Sequence, residues 1–350
     1  MDKKGMSEII TTLIIILVSL VAIMAVWIVV RNVVDSGSQE ISLGKFTINL
    51  EIQKVVINPT TLDVVVKRDV GSGTIKSFNF IVSNGASSQT FPMVNPGLDE
   101  LGTRTFSLPY TGIVKQISIL PVLDSGASGN PVTKTYTDAE MLQNLGLVSW
   151  WRFEGNPNDA VGGNNGAWVG TPGYVNGKFG NAANFSGASY INVSDNPSGS
   201  LDPQNGITIA AWVNEIDFGA DRPIVVKTPL ESGIYPGYQF SFGFNVDMFI
   251  RIANNQLQFN YYDPEVWKQT VATYNGTVKC IYVNGAGSCS ANVYSPIGDS
   301  PDPLWIGHSN RYIGANGVGS FFRGSMDEVM IFNQALTAMQ VQGLYNYTFS

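Results

Sequence analysis

The chain has 350 residues, 44% of them apolar and only 13% charged, with a net charge of −7. That length fits two or three domains with sizeable cores. From Tyr136 onward nine Lys/Arg stand against seventeen Asp/Glu, a balance of −8, which argues against nucleic acid or anionic polysaccharide as a partner because both would be repelled. The 37 Gly and 17 Pro point to many short strands joined by tight turns.

The first element is an apolar run. Ile9 to Val30 passes 22 residues without a charge, about 33 Å as a helix, which matches the hydrocarbon core of a bilayer. Lys3 and Lys4 precede it and no second span follows. The positive-inside tendency then places the N-terminus in the cytoplasm and everything after Arg31 outside, next to membrane lipid. A cleaved secretory signal fits poorly, because "WIVVRNVVDSG" continues without a small-residue cleavage site.

The order "KKG", "MSE" and a long apolar helix resembles the class III signal of archaeal type IV pilins. That resemblance implies cleavage after Gly5 by a prepilin peptidase, Met6 as the new terminus, and packing of the helix against other pilin subunits in a filament. Glu8 lies two residues after Met6, closer than in bacterial pilins. Its expected role is to neutralise a free α-amino group near the membrane edge. The other reading is an uncleaved single-pass anchor.

Residues 41–124 read as a small all-β module. "FTINLEIQ" alternates with period two, and a register change near Gln53 and Lys54 predicts a bulge. Four further strand-like runs, separated by turn residues, suggest an immunoglobulin-like sandwich serving as a spacer. Residues 125–146 read as a linker and a short helix, with a Thr137/Glu140 capping box and Gly146 as the stop.

In the last 200 residues, "LVSWWRFEGNPNDAVGGNNG", "GKFGNAANFSGASYINV", "ITIAAWVN", "WKQTVATYNGTVKCIYVNG", "LWIGHSN" and "FRGSMDEVMIFNQALTAMQVQGLYN" occur in that order. Together they resemble a LamG-like jelly roll of the concanavalin A superfamily, spanning 147–350. The expected fold class is therefore mainly β: a long N-terminal transmembrane or pilin helix (6–40, after a leader at 1–5), a small sandwich, and a C-terminal jelly roll. Alternating residues in "ITIAAWVN" and "MDEVMIF" support two apolar sheet faces covering one another. Thr337 and Gln340 form a second capping box.

"CIYVNGAGSC" allows a direct derivation. With Asn284-Gly285 as a two-residue turn, Cys280 faces Cys289 in a non-hydrogen-bonded pair, where Cα atoms approach within disulfide reach. They are the only two cysteines. A disulfide is expected, and a zinc site is not, since His308 is the lone histidine.

Catalytic signals are absent. No E-x-D-x-E pattern occurs, and "MDEV" is expected to put its two acids on opposite sheet faces. His308 reads as a partly buried strand-end residue. The chain is therefore read as a non-enzyme. The family resemblance also implies one structural Ca2+, with Glu154, Asp159, Asn165 and Asp327 as ligands. The same loop also suits hydrated turns, with Asp159 in an Asx turn. Tyr235, Tyr238, Tyr261, Tyr262 and Tyr312 lie in turn-rich stretches and are candidates for stacking on sugars. Trp151, Trp168, Trp212, Trp267 and Trp305 are assigned to the core. Asn184, Asn192, Asn275 and Asn346 match N-x-S/T and are candidate glycosylation sites.

These readings converge on a surface-displayed adhesion protein, a minor or tip subunit of a filament that binds a glycan or a surface protein. Two rivals remain: a membrane-anchored carbohydrate-binding component of a glycan-degrading system, and a structural envelope protein.

Overall fold

A computed structural model describes Trp27 and residues 48–71, 73–216, 221–228, 237–243, 247–252, 255–261, 263–291, 296–310 and 320–349. Gly5, Met6, Glu8 and the apolar run, apart from Trp27, lie outside these residues. Among the described residues no helix is long and apolar enough to cross a membrane.

The small module is a two-sheet sandwich. One sheet has the order β1 (Leu50–Ile57), β2 (Leu62–Arg68), β5 (Thr103–Leu108). The other runs β4 (Ser88–Val94), β3 (Ile75–Ser83), β6 (Gln116–Leu123), β7 (Val132–Thr135). In β2 the odd and even positions differ cleanly: Leu62, Val64 and Val66 are fully buried, and the residues between them are not. The register of β1 against β2 shifts between Ile52 and Lys54, where the sequence predicts a bulge. One boundary differs from expectation. Residues 132–135 fall in the expected linker, yet they form β7, because the free edge of β6 offers a ladder to "VTKT".

Helix α1 (Asp138–Gln143) follows, with Thr137 and Glu140 exchanging both capping-box hydrogen bonds. Helix α2 (Ala338–Asn346) is capped by Thr337 and Gln340 in the same way. These helices sit where the small module meets the jelly roll. Tyr110, Ile113 and Val114, at one end of the small sandwich, belong to the same hydrophobic cluster as Leu142, Leu145, Val341 and Leu344.

The jelly roll has two large antiparallel sheets. The first is ordered β10 (Tyr174–Asn176), β11 (Asn181–Ser186), β24 (Arg323–Phe332), β13 (Ile207–Glu215), β18 (Lys268–Tyr274), β19 (Val278–Val283), β20 (Ala286–Ala291), with β8 (Leu147–Trp151) also on β24. The second is ordered β17 (Asn255–Asn260), β16 (Asp247–Ile252), β15 (Tyr238–Phe242), β14 (Arg222–Lys227), β21 (Leu304–Ile306), β12 (Tyr190–Val193), β9 (Gly166–Val169). A short pair, β22 (His308–Ser309) and β23 (Ser320–Phe321), adjoins the second sheet.

Alternation sorts the side chains into layers. Ile209, Ala211 and Val213 of the first sheet meet Phe240, Ile250 and Ile306 of the second in the inner core. The other face of the first sheet contributes Ala210, Val271, Tyr282, Met330 and Phe332 to the cluster shared with the small module and both helices. Both faces of the first sheet's central strands are thus covered by described residues. The second sheet's outward face belongs to neither cluster.

At the free end of the first sheet the hairpin register is as derived: Val283 opposite Ala286, Tyr282 opposite Gly287, Cys280 opposite Cys289. The two cysteines are disulfide-bonded, with Cα atoms 4.0 Å apart. Asn284 and Gly285 both have positive φ, 51° and 80°, as this turn requires.

Candidate functional site

The outward face of the second sheet is set by period-two alternation. Ile191, Ile306, Val225, Phe240 and Ile250 point to the inner core, so their neighbours Asn192, Trp305, Val226, Gln239 and Arg251 point out. Strand pairing lays these out in one continuous row: Asn192 opposite Trp305, Trp305 opposite Val226, Val226 opposite Gln239, Gln239 opposite Arg251, Arg251 opposite Gln256.

The row is polar and hydrogen-bonded at one half and aromatic at the other. Arg251 donates to the Gln239 side-chain oxygen (2.9 Å) and to that of Gln256, and Gln239 donates to Ser241 Oγ (2.9 Å). The guanidinium also lies 5.0 Å from the Phe249 ring centroid. Toward β12, Trp305 Nε1 donates to Asn192 Oδ1 (3.0 Å). His308 stacks on Tyr190 with centroids 4.4 Å apart and meets Phe321 at 4.5 Å. Burial lowers the His308 pKa from its ordinary value, which favours the neutral ring. The centre is closed, with Gln239 and Arg251 only 1% and 8% exposed. Tyr190, Asn192 and Gln256 at the two flanks are half-buried, and Gln258 is exposed. Preorganised donors and acceptors beside flat rings are what recognition of a hydroxyl-rich ligand needs.

A second cluster lies on the opposite side of the molecule, around Asp327 and Glu328. One edge of β24 pairs with β11 up to Met326 and with β8 from Val329 onward. Between these partners β24 bulges against β13, and Glu328 takes φ +50°. Met326 and Val329 both face the inner core, so Asp327 and Glu328 share the outer face. This corrects the expectation that simple alternation separates them. Asp327 Oδ2 accepts from the Phe179 N–H (2.8 Å) while its Oδ1 is buried without a partner. Glu328 accepts from Trp150 Nε1 and pairs with Arg152 at 3.4 Å. Burial pushes Asp327 up to about 7, with the nearby Glu154 charge adding to it. Burial and the Asp327 charge push Glu328 up to about 8.

The residues expected to hold calcium divide into two places. Glu154 and Asp327 both line the 177–181 turn, Glu154 accepting from the Asn181 N–H (3.0 Å). Asp159 accepts instead from the N–H groups of Trp150, Val161 and Asn164 (2.9 to 3.0 Å), and Asn165 accepts from the Asp159 N–H. Asp159 therefore organises an Asx-type turn. Among the described residues no three His, Cys, Asp or Glu side chains gather as a metal set.

Of the five tyrosines, Tyr235, Tyr262 and Tyr312 lie outside the described residues. Tyr238 is 1% exposed, and its hydroxyl donates to the Leu201 carbonyl (2.8 Å). It is a core residue, because β15 turns Tyr238, Phe240 and Phe242 inward together. Tyr261 packs half-buried against the same core. Trp305 is buried as the sequence expects, 7% exposed, but strand pairing places it on the outward layer of the second sheet and outside both hydrophobic clusters. "LWI" is buried on both faces, so burial pattern alone cannot sort it. The network Gln239–Arg251–Gln256 is invisible to burial pattern for the same reason: β15 and β16 are buried throughout. Its only sequence signal is the alternation of polar with apolar residues in "QFSF" and "QLQFN". Among the sequons, Asn275 and Asn346 are exposed, whereas Asn184 and Asn192 are half-buried in strands.

Residues 185–342 match the family model described as the concanavalin A-like lectin/glucanases superfamily. This region of the chain is a LamG-like, concanavalin A-like domain. No curated protein sequence matches the chain. Among solved structures, domain 4 of AbnA, an extracellular arabinanase from Geobacillus stearothermophilus in complex with arabinotriose, aligns with 20% identity, 57% of this chain, 98% of that chain and a TM-score of 0.47. Botulinum neurotoxin type C aligns with 12% identity, 57% of this chain, 51% of that chain and a TM-score of 0.44. The carbohydrate-binding module of a Ruminococcus gnavus sialidase, bound to α2,3-sialyllactose, aligns with 12% identity, 47% of this chain, 96% of that chain and a TM-score of 0.40.

Proposed function

We propose that this is a surface-displayed glycan-binding protein whose ligand lies across the outward face of the second sheet. One observation carries the reading. That face holds two hydrogen-bonded groups on either side of Val226, Asn192 and Trp305 beside Tyr190 on one and Gln239, Arg251 and Gln256 on the other, which serve neither hydrophobic core. A family that groups lectins with glucanases is consistent with it. Hydroxyls of the sugar would pair with Asn192, Gln256 and Gln258, while the half-buried Tyr190 ring supplies apolar contact and buried Trp305 holds Asn192 in place. The test is glycan-array screening followed by calorimetry on the purified chain. Tyr190→Ala and Gln256→Ala are half-buried positions, so folding should be retained and binding should weaken at least tenfold. Wild-type binding to no glycan, or variants that bind like wild type, would overturn the reading.

The N-terminal apolar run supports a membrane tether, with the small sandwich as spacer and the jelly roll outermost. Cleavage after Gly5 and assembly with other pilin subunits belong to the same reading. N-terminal sequencing of surface-recovered protein should begin at Met6. Intact Lys3 and Lys4 would favour the single-pass anchor instead. For calcium, the residues that fit are Glu154 and Asp327, since the buried, unpartnered Asp327 Oδ1 is an acceptor that a cation would satisfy. When bound, the ion would neutralise both carboxylates and hold the 177–181 turn.

A further inference from the structure

The two ends of the small sandwich differ. One end, around Tyr110 to Val114, is buried against the jelly roll and its helices. At the other end the chain comes in from its N-terminal side: the Asp69 N–H donates to the Asn49 carbonyl (3.0 Å) and Leu50 pairs with Arg68. Residues 69–71, 73–74 and 95–102 lie here, because Lys67 pairs with Thr103 and Ser77 with Val94.

Three exposed apolar residues occur at this end. Val70, Val94 and Leu101 are 66%, 68% and 66% exposed. With Trp27 at 67%, itself within the apolar run, they are the four most exposed large apolar residues among those described. The loops that carry them are not loose. Buried Arg68 donates to the carbonyls of Leu98, Gly71 and Gly73 (3.2, 2.9 and 2.6 Å), its own N–H donates to Gly102, and the Gly71 N–H donates to Glu100. Leu101 sits at φ +60°, a region that residues with a Cβ disfavour. Neither burial nor backbone preference accounts for a leucine there.

The charge around these tips is nearly balanced: Lys67, Arg68, Lys76 and Arg104 against Asp69, Asp99 and Glu100. The jelly-roll half carries −8. A lipid surface would therefore accept this end and repel the other. Seventeen residues, 31–47, separate the apolar run from this end. That length can reach roughly 55 Å when extended, so the tether alone would not seat the module.

We infer that this end of the small sandwich rests on the lipid bilayer, with Val70, Val94 and Leu101 at the boundary of headgroups and acyl chains. The inference rests on the reading that residues 9–30 span that bilayer. The full chain is reconstituted in phosphatidylcholine vesicles with an environment-sensitive fluorophore on Leu101→Cys. The native cysteines are bonded to each other, so the label is unique. A control label goes on Ser87→Cys, exposed in the turn at the opposite end. The Leu101 label should shift to the blue and lose most of its emission to lipids bearing a shallow quencher, while the Ser87 label stays water-like. Moving the label to Val94→Cys and adding Val70→Asp with Leu101→Asp should abolish quenching while the protein still floats with vesicles. Flotation with both labels water-like overturns the inference and leaves the membrane span standing. Loss of flotation removes the span reading and the inference with it. A blue shift that follows protein concentration and ignores quencher lipids assigns the patch to a second copy, which also overturns it.

Discussion

Lys227→Met is the sharpest test of how the jelly roll is held together. Lys227 is fully buried on β14, and its ammonium meets Asp195 Oδ1, the Ser300 carbonyl and the Asp302 carbonyl at 2.7 Å each. Asp202 Oδ2 lies 3.3 Å away, close enough for an ion pair but without hydrogen-bond geometry. Burial raises the Asp202 carboxyl, and the Lys227 charge opposes that shift. Methionine preserves most of the apolar stem and removes the charge. It leaves a carboxylate that is 2% exposed without its counter-ion, and two carbonyls without a donor. Breaking such a buried pair costs about 3–5 kcal/mol. At about 2–4 °C per kcal/mol for a domain of this size, the midpoint should fall by roughly 6–20 °C. Urea unfolding at pH 7, followed by tryptophan fluorescence, gives the free energy directly. Lys227→Met with Asp202→Asn should recover more than half of the loss, because the stranded charge is then gone. A single-variant loss below about 1 kcal/mol, or a double variant no more stable than the single, would refute the reasoning.

Other outcomes follow from features already described. Cys280→Ser with Cys289→Ser opens a loop of about ten residues, and the chain-entropy relation puts the loss near 2–3 kcal/mol. Urea unfolding of oxidised and serine forms checks it, and glycan binding should be unchanged, since the hairpin lies at the edge of the other sheet. Asp327 and Glu328 are raised to about 7 and about 8 in the fold, above the ordinary carboxyl value near 4. Their neutral forms contribute stability that is complete below pH ~4 and lost as pH rises through 7 and 8. The thermal midpoint in chelator should therefore fall between pH ~5 and ~9, and Asp327→Asn with Glu328→Gln should remove most of that slope. Calcium added at the upper end of that range should restore the midpoint of wild type and leave the double variant unmoved.

Local chemistry was legible wherever neighbours in sequence decide it. The Asn284-Gly285 turn fixes its own backbone, so the register and the Cys280–Cys289 bond follow from counting. Both capping boxes are four-residue signals and formed as read. The bulge near Gln53 is visible because the apolar face changes parity there. The rest depends on partners distant in the chain. No local pattern reveals that β24 changes partner from β11 to β8, and the Glu328 bulge that turns two acids onto one face lies at that change. Tyr238 sits beside a Pro-Gly stretch that reads as an exposed turn, yet its strand turns it inward. Trp305 and Arg251 were hidden by the opposite problem. Both faces of their strands are buried, and only pairing with β12 and β17 shows which face serves the core.

The small sandwich is threaded lengthwise. The chain comes in beside Leu50 at one end, and β7 delivers it at the other, where Thr135 pairs with Gln116. Tension between a tethered N-terminus and a ligand gripped by the jelly roll would thus run parallel to the strands. Ladders pulled along their length must shear many hydrogen bonds at once, whereas ladders pulled sideways unzip bond by bond. A chain tethered and loaded in this way would resist flow with its backbone.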